Sequence, residues 1–421
     1  MENRLSSLER RLRAVEQPVW QISSREEDWE ICAEGPCKCI PEMKSVSCWR
    51  YDLLDLPPMQ LVPADVLKLD LSSNKLRTLP EDLFLSNRLL ALLDLSSNRI
   101  SSLSPGTFRG LGNLEELLLG KNRLTGLPVP IFRDTINLRR LALEENRLKE
   151  LPNSILKDLT SLKELDMRDN RLTEISKGLF STLVQLELLE ISSNRISHID
   201  TRAFLSMTAL RELRLGHNQI KYLPPGLFNN SMSLERLILY GNRIEILIRG
   251  VFRGLSNVTS LFLQSNRLRL VQSGVFEDTP RLQKLQLESN DLSFLPAGSL
   301  DAISMIQQIR LSRNPWHCDC RASYIASWLR RRFARFANLT NPLQIQQALI
   351  LTGNWSIWEF GAGATCRGPG ILGDQSLLRL TFHELCEGQW ASMKGIIPRL
   401  PLDAIMPSVT PREIRKNTIL T

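Results

Sequence analysis

The sequence contains no apolar run long enough to span a bilayer. Its amino terminus, MENRLSSLERRLRAVEQPVW, is charged throughout and lacks the continuous apolar core of a secretory signal. As written the chain carries no export address, and the expectation is a fragment, a mature form given a start methionine, or an incomplete gene product. There is no G-x-S-x-G, no glycine-rich phosphate loop and no His/Asp/Ser grouping. His198 and His217 fall in a turn and beside a recurring asparagine, positions that are usually solvated. An enzyme is therefore not expected, and no cofactor is implied. Cysteine is missing too, but only from the middle: none occurs between Cys48 and Cys318.

What fills that middle is repetition. Asparagines recur at Asn74, Asn98, Asn122, Asn146, Asn170, Asn194, Asn218, Asn242, Asn266, Asn290 and Asn314, each 24 residues from the last (314 − 74 = 240, ten periods) without insertion or deletion. Leucine-type residues stand five and three positions before each, as in LDLSSN and LILYGN. A second ladder lies ten after the asparagines: Phe84, Phe108, Phe132, Leu156, Phe180, Phe204, Phe228, Phe252, Phe276 and Leu300.

The pattern L-x-x-L-x-L-x-x-N-x-L resembles that of a leucine-rich repeat. Its L-x-L segment reads as a short strand, with both Leu side chains inside a solenoid and alternate positions on the outer face of a parallel sheet. The Asn turns the chain and pairs backbone groups left open by the turn. Each unit buries its apolar face only against its neighbours, so the array forms one stack. Eleven strands at about 4.8 Å make a concave sheet roughly 50 Å along its arc. The resemblance implies an α/β leucine-rich repeat solenoid, a curved right-handed horseshoe with a parallel concave sheet, capped by disulfides at both ends. The expected organisation is a coiled-coil-like segment at 1–31, an amino-terminal cap at 32–62, ten repeats at 63–313, a carboxyl-terminal cap at 314–388, and a flexible tail or linker at 389–421.

An open solenoid exposes its core at both ends, and the eight cysteines fall there in two groups of four. One group is Cys32, Cys37, Cys39 and Cys48; the other is Cys318, Cys320, Cys366 and Cys386. A zinc site built from His317, Cys318, Cys320, His383 and Cys386 has enough ligand types, but C-x-C is tighter than the usual spacing and the first group has no histidine. Four sequons, at Asn229, Asn257, Asn338 and Asn354, agree with the even cysteine count on an oxidising compartment. Disulfides are the reading adopted, and no metal is expected. Cysteines two apart on an extended chain rarely bond to each other, which leaves two pairings open in each cap.

NPWHCDC, Trp328, CRGP at Cys366 and LTFHELC ending at Cys386 resemble the carboxyl-flanking cap of extracellular leucine-rich repeat proteins such as Slit, the Nogo receptor, peroxidasins and Toll-type ectodomains. The first cysteine group resembles their amino-flanking cap. The likeness covers residues 32 to 388, although Asn338–Thr365 is longer than the family pattern. It implies the crossed pairs Cys32–Cys39, Cys37–Cys48, Cys318–Cys366 and Cys320–Cys386. It also implies an extracellular location, secreted or on the cell surface.

At the amino terminus, Leu5, Leu8, Leu12, Val15, Val19 and Ile22 have heptad spacing up to an interruption at Pro18, and RLSSLE resembles a trimer-forming motif. Pairing through residues 1–22 would make the chain a homo-oligomer and add avidity; a frayed charged helix is the plainer alternative.

Function is sought on the outward positions two, four and six before each ladder Asn. The middle repeats are acidic there (Glu116, Glu144, Glu164, Asp166, Glu190, Glu212), as a solvated charged surface would be. Later ones carry Arg236, Ile238, Tyr240, Phe262 and Gln264, then Lys284, Gln286, Gln308 and Arg310. Ile238, Tyr240 and Phe262 are expected to stand outward on adjacent strands as an exposed apolar patch bordered by Arg236, the composition of an interface hot spot, unless a glycan or neighbouring side chains shield them. The second candidate is SWLRRRFARF. Five arginines (Arg321, Arg330, Arg331, Arg332, Arg335) and no acid lie between Arg321 and Thr340, within a chain of net charge +8. Arg330, Arg331 and Arg335 are the residues expected to hold heparan sulfate or another polyanion; nucleic acid is not expected. The functional expectation is a module that binds a protein ligand on its concave sheet. A glycosaminoglycan-held matrix component and an innate pattern-recognition protein are the alternatives, and an intracellular scaffold the outsider.

Overall fold

The structure is a computed structural model that describes residues 27–56, 60–336, 338, 340–341, 344, 363–368 and 370–386. The heptad segment 1–22, the tail 389–421 and Asn354 lie outside the described residues.

The chain winds through a solenoid of about 11 turns, each contributing one three-residue strand to a continuous sheet. Thirteen strands pair in sequence order. The eleven solenoid strands, from Lys68–Asp70 to Gln308–Arg310, run parallel, and each ladder Leu lies opposite its equivalent: Leu213 pairs with Leu189 on one side and Leu237 on the other. A 24-residue period leaves no freedom of register, because a slip of one residue would turn every Leu outward.

The side chains three and five before each Asn are fully buried, as Leu69 and Leu71 are in the first turn. Behind them the Phe ladder forms a spine: Phe180, Phe204 and Phe228 stack with centroids 6.3 Å apart at each step. The residue before every ladder Asn adopts a left-handed conformation, with φ between 52° and 67° from Ser73 to Arg313. That backbone costs energy for every residue but Gly241, and the Asn side chain compensates. Asn122 Nδ2 donates to the carbonyl of Leu95 in the preceding turn (2.9 Å) and to Leu119 and Gly120 in its own, while its Oδ1 accepts from the Ile100 N–H at 3.0 Å. Each Asn thus closes its own turn and stitches it to the previous one. Two-residue strands also pair away from the main sheet; one of them is His198–Ile199 against Glu174–Ile175. His198 is therefore in a strand pair, not the turn expected from sequence, because the period also brings these short segments into parallel register.

Both ends are closed by cystine-bearing caps. At the amino end, helix α1 (Glu27–Glu34) leads into the hairpin Lys38–Ile40/Ser45–Ser47, whose second strand pairs parallel with Lys68–Asp70 and covers the sheet edge. Cys32 is bonded to Cys39 and Cys37 to Cys48. At the carboxyl end Trp316 is buried with its Nε1 donating to Leu311 O, and helix α2 (Ser323–Phe336) lays Ile325, Ala326, Trp328, Leu329 and Phe333 against the open core. Helix α3 (Phe382–Cys386) completes that cap, with Cys318 bonded to Cys366 and Cys320 to Cys386. The four pairs coincide with those the family resemblance implies. With every cysteine in a disulfide, no thiolate is left for a metal.

Candidate ligand-binding face

Alternation along each strand sends the residue four before the ladder Asn to the face opposite the core. In the middle repeats this outward face is an ion ladder. Arg140 lies between Glu116 (3.9 Å) and Glu164 (3.7 Å), and Arg214 holds Glu212 at 2.7 Å and Glu190 at 3.3 Å. The expected solvated acidic surface is corrected at Glu190, which is only 5% exposed and clamped by Arg214. The carboxylate of Glu144 lies over Gly120, where a Cβ would collide with it. Burial pushes Asp166 up to about 6, aided by the nearby charges of Glu144 and Glu190 and opposed by the backbone N–H and guanidinium of Arg168. Asp94 is raised by the same cause.

The character changes at strand Arg236–Ile238. Arg236 is exposed and 3.6 Å from Glu212. Tyr240 lies across Gly216, whose missing side chain makes room for its ring, and stands perpendicular to the His217 ring with centroids 4.8 Å apart. Phe262 is flanked by two cations, Arg236 at 6.0 Å and Lys284 at 5.4 Å from the ring centroid. The expected exposed patch is thus corrected in degree. Ile238 is 9% exposed yet outside the continuous core, and Tyr240, Phe262 and Gln264 are partly buried. Long neighbouring side chains lie over the strands and screen their shorter outward partners. Register places the five residues together: Ile238 is opposite Phe262, and Tyr240 and Gln264 follow two residues later, just past the ends of those strands.

The arginines of the carboxyl cap divide. Arg332 donates to the carbonyls of Ile303 and Ser304 and lies 5.5 Å from the Trp328 ring, so it seals the last turn. Arg321 is paired with Asp319 at 2.9 Å. Arg330 is half-buried, and burial lowers its guanidinium pKa, with Glu384 opposing the shift. Only Arg331 and Arg335 of the five present exposed guanidinium groups without a described ion pair. A cluster of five is thereby reduced to two, because helix α2 turns Arg330 and Arg332 toward the cap and Asp319 holds Arg321 in the turn before it.

The comparisons with known proteins bear on the repeat and the fold. Overlapping matches to the leucine rich repeat family run from residue 66 to 315, more than half of the 421 residues. The chain belongs to the leucine-rich repeat family. Among solved structures, a chain of the octameric complex of Latrophilin 3, Unc5D and FLRT2 (LRR) superposes with a TM-score of 0.67 at 22% identity, over 82% of this chain and 97% of that one. A chain of the Drosophila Toll–Spatzle complex, glycosylated form, superposes with a TM-score of 0.57 at 24% identity, over 77% of this chain and 46% of that one. At these identities the likeness is one of fold. No curated protein matches the chain.

Within the leucine-rich repeat frame the sequons separate. Asn229 is exposed, and Asn338 is exposed past the end of α2. Asn257 donates to Met232 O at 2.8 Å and accepts from Arg281 at 2.7 Å. Asn113 and Asn137, at the equivalent repeat position, make the same bond to the preceding turn, so Asn257 has a structural role beside its sequon.

Two features escape sequence reading. Trp49, just past the cap strand, is 52% exposed with Arg50 6.0 Å from its ring; its irregular place before the first repeat hides it from the ladder. The second is the burial of Glu288 and Gln286. Their outward positions are legible, but their burial depends on neighbouring side chains and is not.

Proposed function

We propose that the chain is an extracellular protein-binding module that takes a protein ligand on its concave sheet. Arg236, Ile238, Tyr240, Phe262 and Gln264 form the contact surface. The single observation that carries this reading is the aromatic step of Tyr240 and Phe262 on adjacent turns of the solenoid, where most other turns place short or charged groups. A rigid scaffold that holds aromatic rings beside arginine offers much contact area at low entropic cost. Disulfides in both caps support an oxidising environment, secreted or at the cell surface. Among the described residues no helix is long and apolar enough to cross a membrane. Two of the chain's structural neighbours come from complexes with other proteins, Unc5D and Latrophilin 3 in one and Spatzle in the other, which supports a binding role. Alanine at both Tyr240 and Phe262 is expected to weaken a protein ligand at least about tenfold, as loss of one hot-spot group does, while leaving the melting temperature near wild type. Unchanged binding would remove this site.

A second reading rests on Arg331 and Arg335. Their exposed guanidinium groups, one helical turn apart, support retention on sulfated glycosaminoglycan. A charge-swapped Arg331→Glu/Arg335→Glu chain is expected to leave a heparin column at lower salt; elution at the same salt removes that reading.

A further inference from the structure

Six buried side-chain atoms among the described residues lack a hydrogen-bond partner. Three of them, Glu144 Oε2, Gln264 Oε1 and Glu288 Oε2, occupy the same place in the repeat, two before the ladder Asn on the concave side. Gln264 and Glu288 are neighbours, since the strands that precede them pair with Phe262 opposite Gln286. Gln286 is itself only 6% exposed and makes no described side-chain hydrogen bond. A buried acceptor left open costs about 1–3 kcal/mol, and a fold that satisfies all eleven ladder asparagines leaves this cluster unsatisfied.

We infer that Gln264, Gln286 and Glu288 form a hydrogen-bonding subsite for an uncharged amide-bearing stretch of a protein ligand, docked beside Tyr240 and Phe262. The inference rests on the concave-face reading above and names the chemistry it takes. The buried open atoms are oxygens, Gln264 Oε1 and Glu288 Oε2, while the Gln264 and Gln286 amides also carry N–H groups with no described bond, so the ligand must bring donors as well as acceptors, and the sulfates or carboxylates of a polyanion bring no donors. Arg310 is 3.8 Å from Glu288, and the charges of Arg310, Lys284 and Arg313 all act on its carboxyl. A further cation is therefore not drawn in, and amides remain. An extended segment offers backbone N–H groups and Asn or Gln side chains along one edge, with apolar side chains for the aromatic step. In the unliganded face Gln264 Oε1 and Glu288 Oε2 are buried; rotamer changes on docking turn the oxygens toward the ligand.

The test pans a random dodecapeptide library on the whole chain and measures selected peptides against two variants. One is Gln264→Met/Glu288→Met, which keeps side-chain length and removes the acceptors; the other is Tyr240→Ala/Phe262→Ala. Selected peptides should be rich in Asn and Gln next to an apolar residue, and should bind the Met variant about tenfold or more weakly, as loss of one good hydrogen-bonding group implies. The free Met variant should melt higher than wild type, since its cost in the unliganded face is gone. Equal affinity for the Met variant with loss on the Ala variant overturns the subsite and leaves the concave-face reading standing. Equal affinity for all three proteins overturns both. Enrichment of Lys/Arg-rich or acidic peptides, no enrichment at all, or binding to a neutral-oligosaccharide array in place of peptides overturns the amide assignment.

Discussion

Leu237 and Ile238 are consecutive residues of one strand, and both are buried, but only Leu237 belongs to the continuous core. Leu237 sits in a column of leucine-type residues repeated every 24 positions. Ile238 sits in a column that reads Asp70, Asp94, Leu118, Ala142, Asp166, Glu190, Arg214, Ile238, Phe262, Gln286 and Arg310. The difference teaches where repetition comes from. An inward side chain packs against copies of itself one turn away, so each turn must offer the same shape to its neighbours. An outward side chain has no such obligation, and its column is free to vary with whatever it meets.

The sharpest way to break that division is from the inside. Phe204 stacks on Phe180 and Phe228 at 6.3 Å each, so Phe204→Ala opens a cavity shared by three turns. The expected loss is about 3–5 kcal/mol, read by denaturant titration. Binding to a concave-face ligand should survive under conditions where the variant remains folded. A loss of affinity in the folded variant would mean that inside and outside are coupled.

Next in size is the turn that joins the two faces. Asn194 donates to Met167 O at 2.9 Å and to Ile191 and Ser192, and accepts from Leu172 N–H at 3.0 Å. Asn194→Ala leaves those peptide groups buried and open, for an expected cost of about 2–3 kcal/mol. Asn194→Asp should be no better, because it keeps the acceptor and lacks the amide donors. A near-neutral result for either would show that the asparagine ladder is decoration and that the left-handed turn holds itself.

These expectations mark how far the sequence could be read. The ladders were legible because inward positions see only their own kind, so period and residue type determine the environment. The caps were legible because cysteines cluster at the ends, although which sulfur meets which came only from family resemblance. The concave face was legible in direction and not in depth. Alternation places Ile238, Tyr240 and Phe262 outward, but Arg236, Lys284 and His217 decide how much of them water reaches. The arginine helix shows the same limit: five cations are visible in the sequence, and only the cap's packing tells that Arg332 reaches the carbonyls of Ile303 and Ser304. The chemical class of the ligand is less legible still, since nothing in a repeat scaffold restricts its hollow side to protein.

The smallest expected effect lies on the outer face and tests whether its charges matter to the fold at all. Asp166 is pushed up to about 6 by burial. An acid whose folded pKa lies above its unfolded one is better accommodated protonated, so the folded state gains from it at low pH and loses that gain as pH rises through about 4 to 6. Asp166→Asn removes the titration and keeps the shape. The variant should match wild type near pH 4 and exceed it above pH 6, by less than about 1 kcal/mol because the carboxylate is partly solvated and screened. Loss of the 3.6 Å contact with Arg168 works in the opposite direction and trims the gain further. Denaturation midpoints of the two proteins from pH 4 to 8 decide the matter. A pH-independent difference would mean that Asp166 titrates alike in the folded and unfolded chain, and that the concave ladder is electrostatically as neutral to folding as the core is to binding.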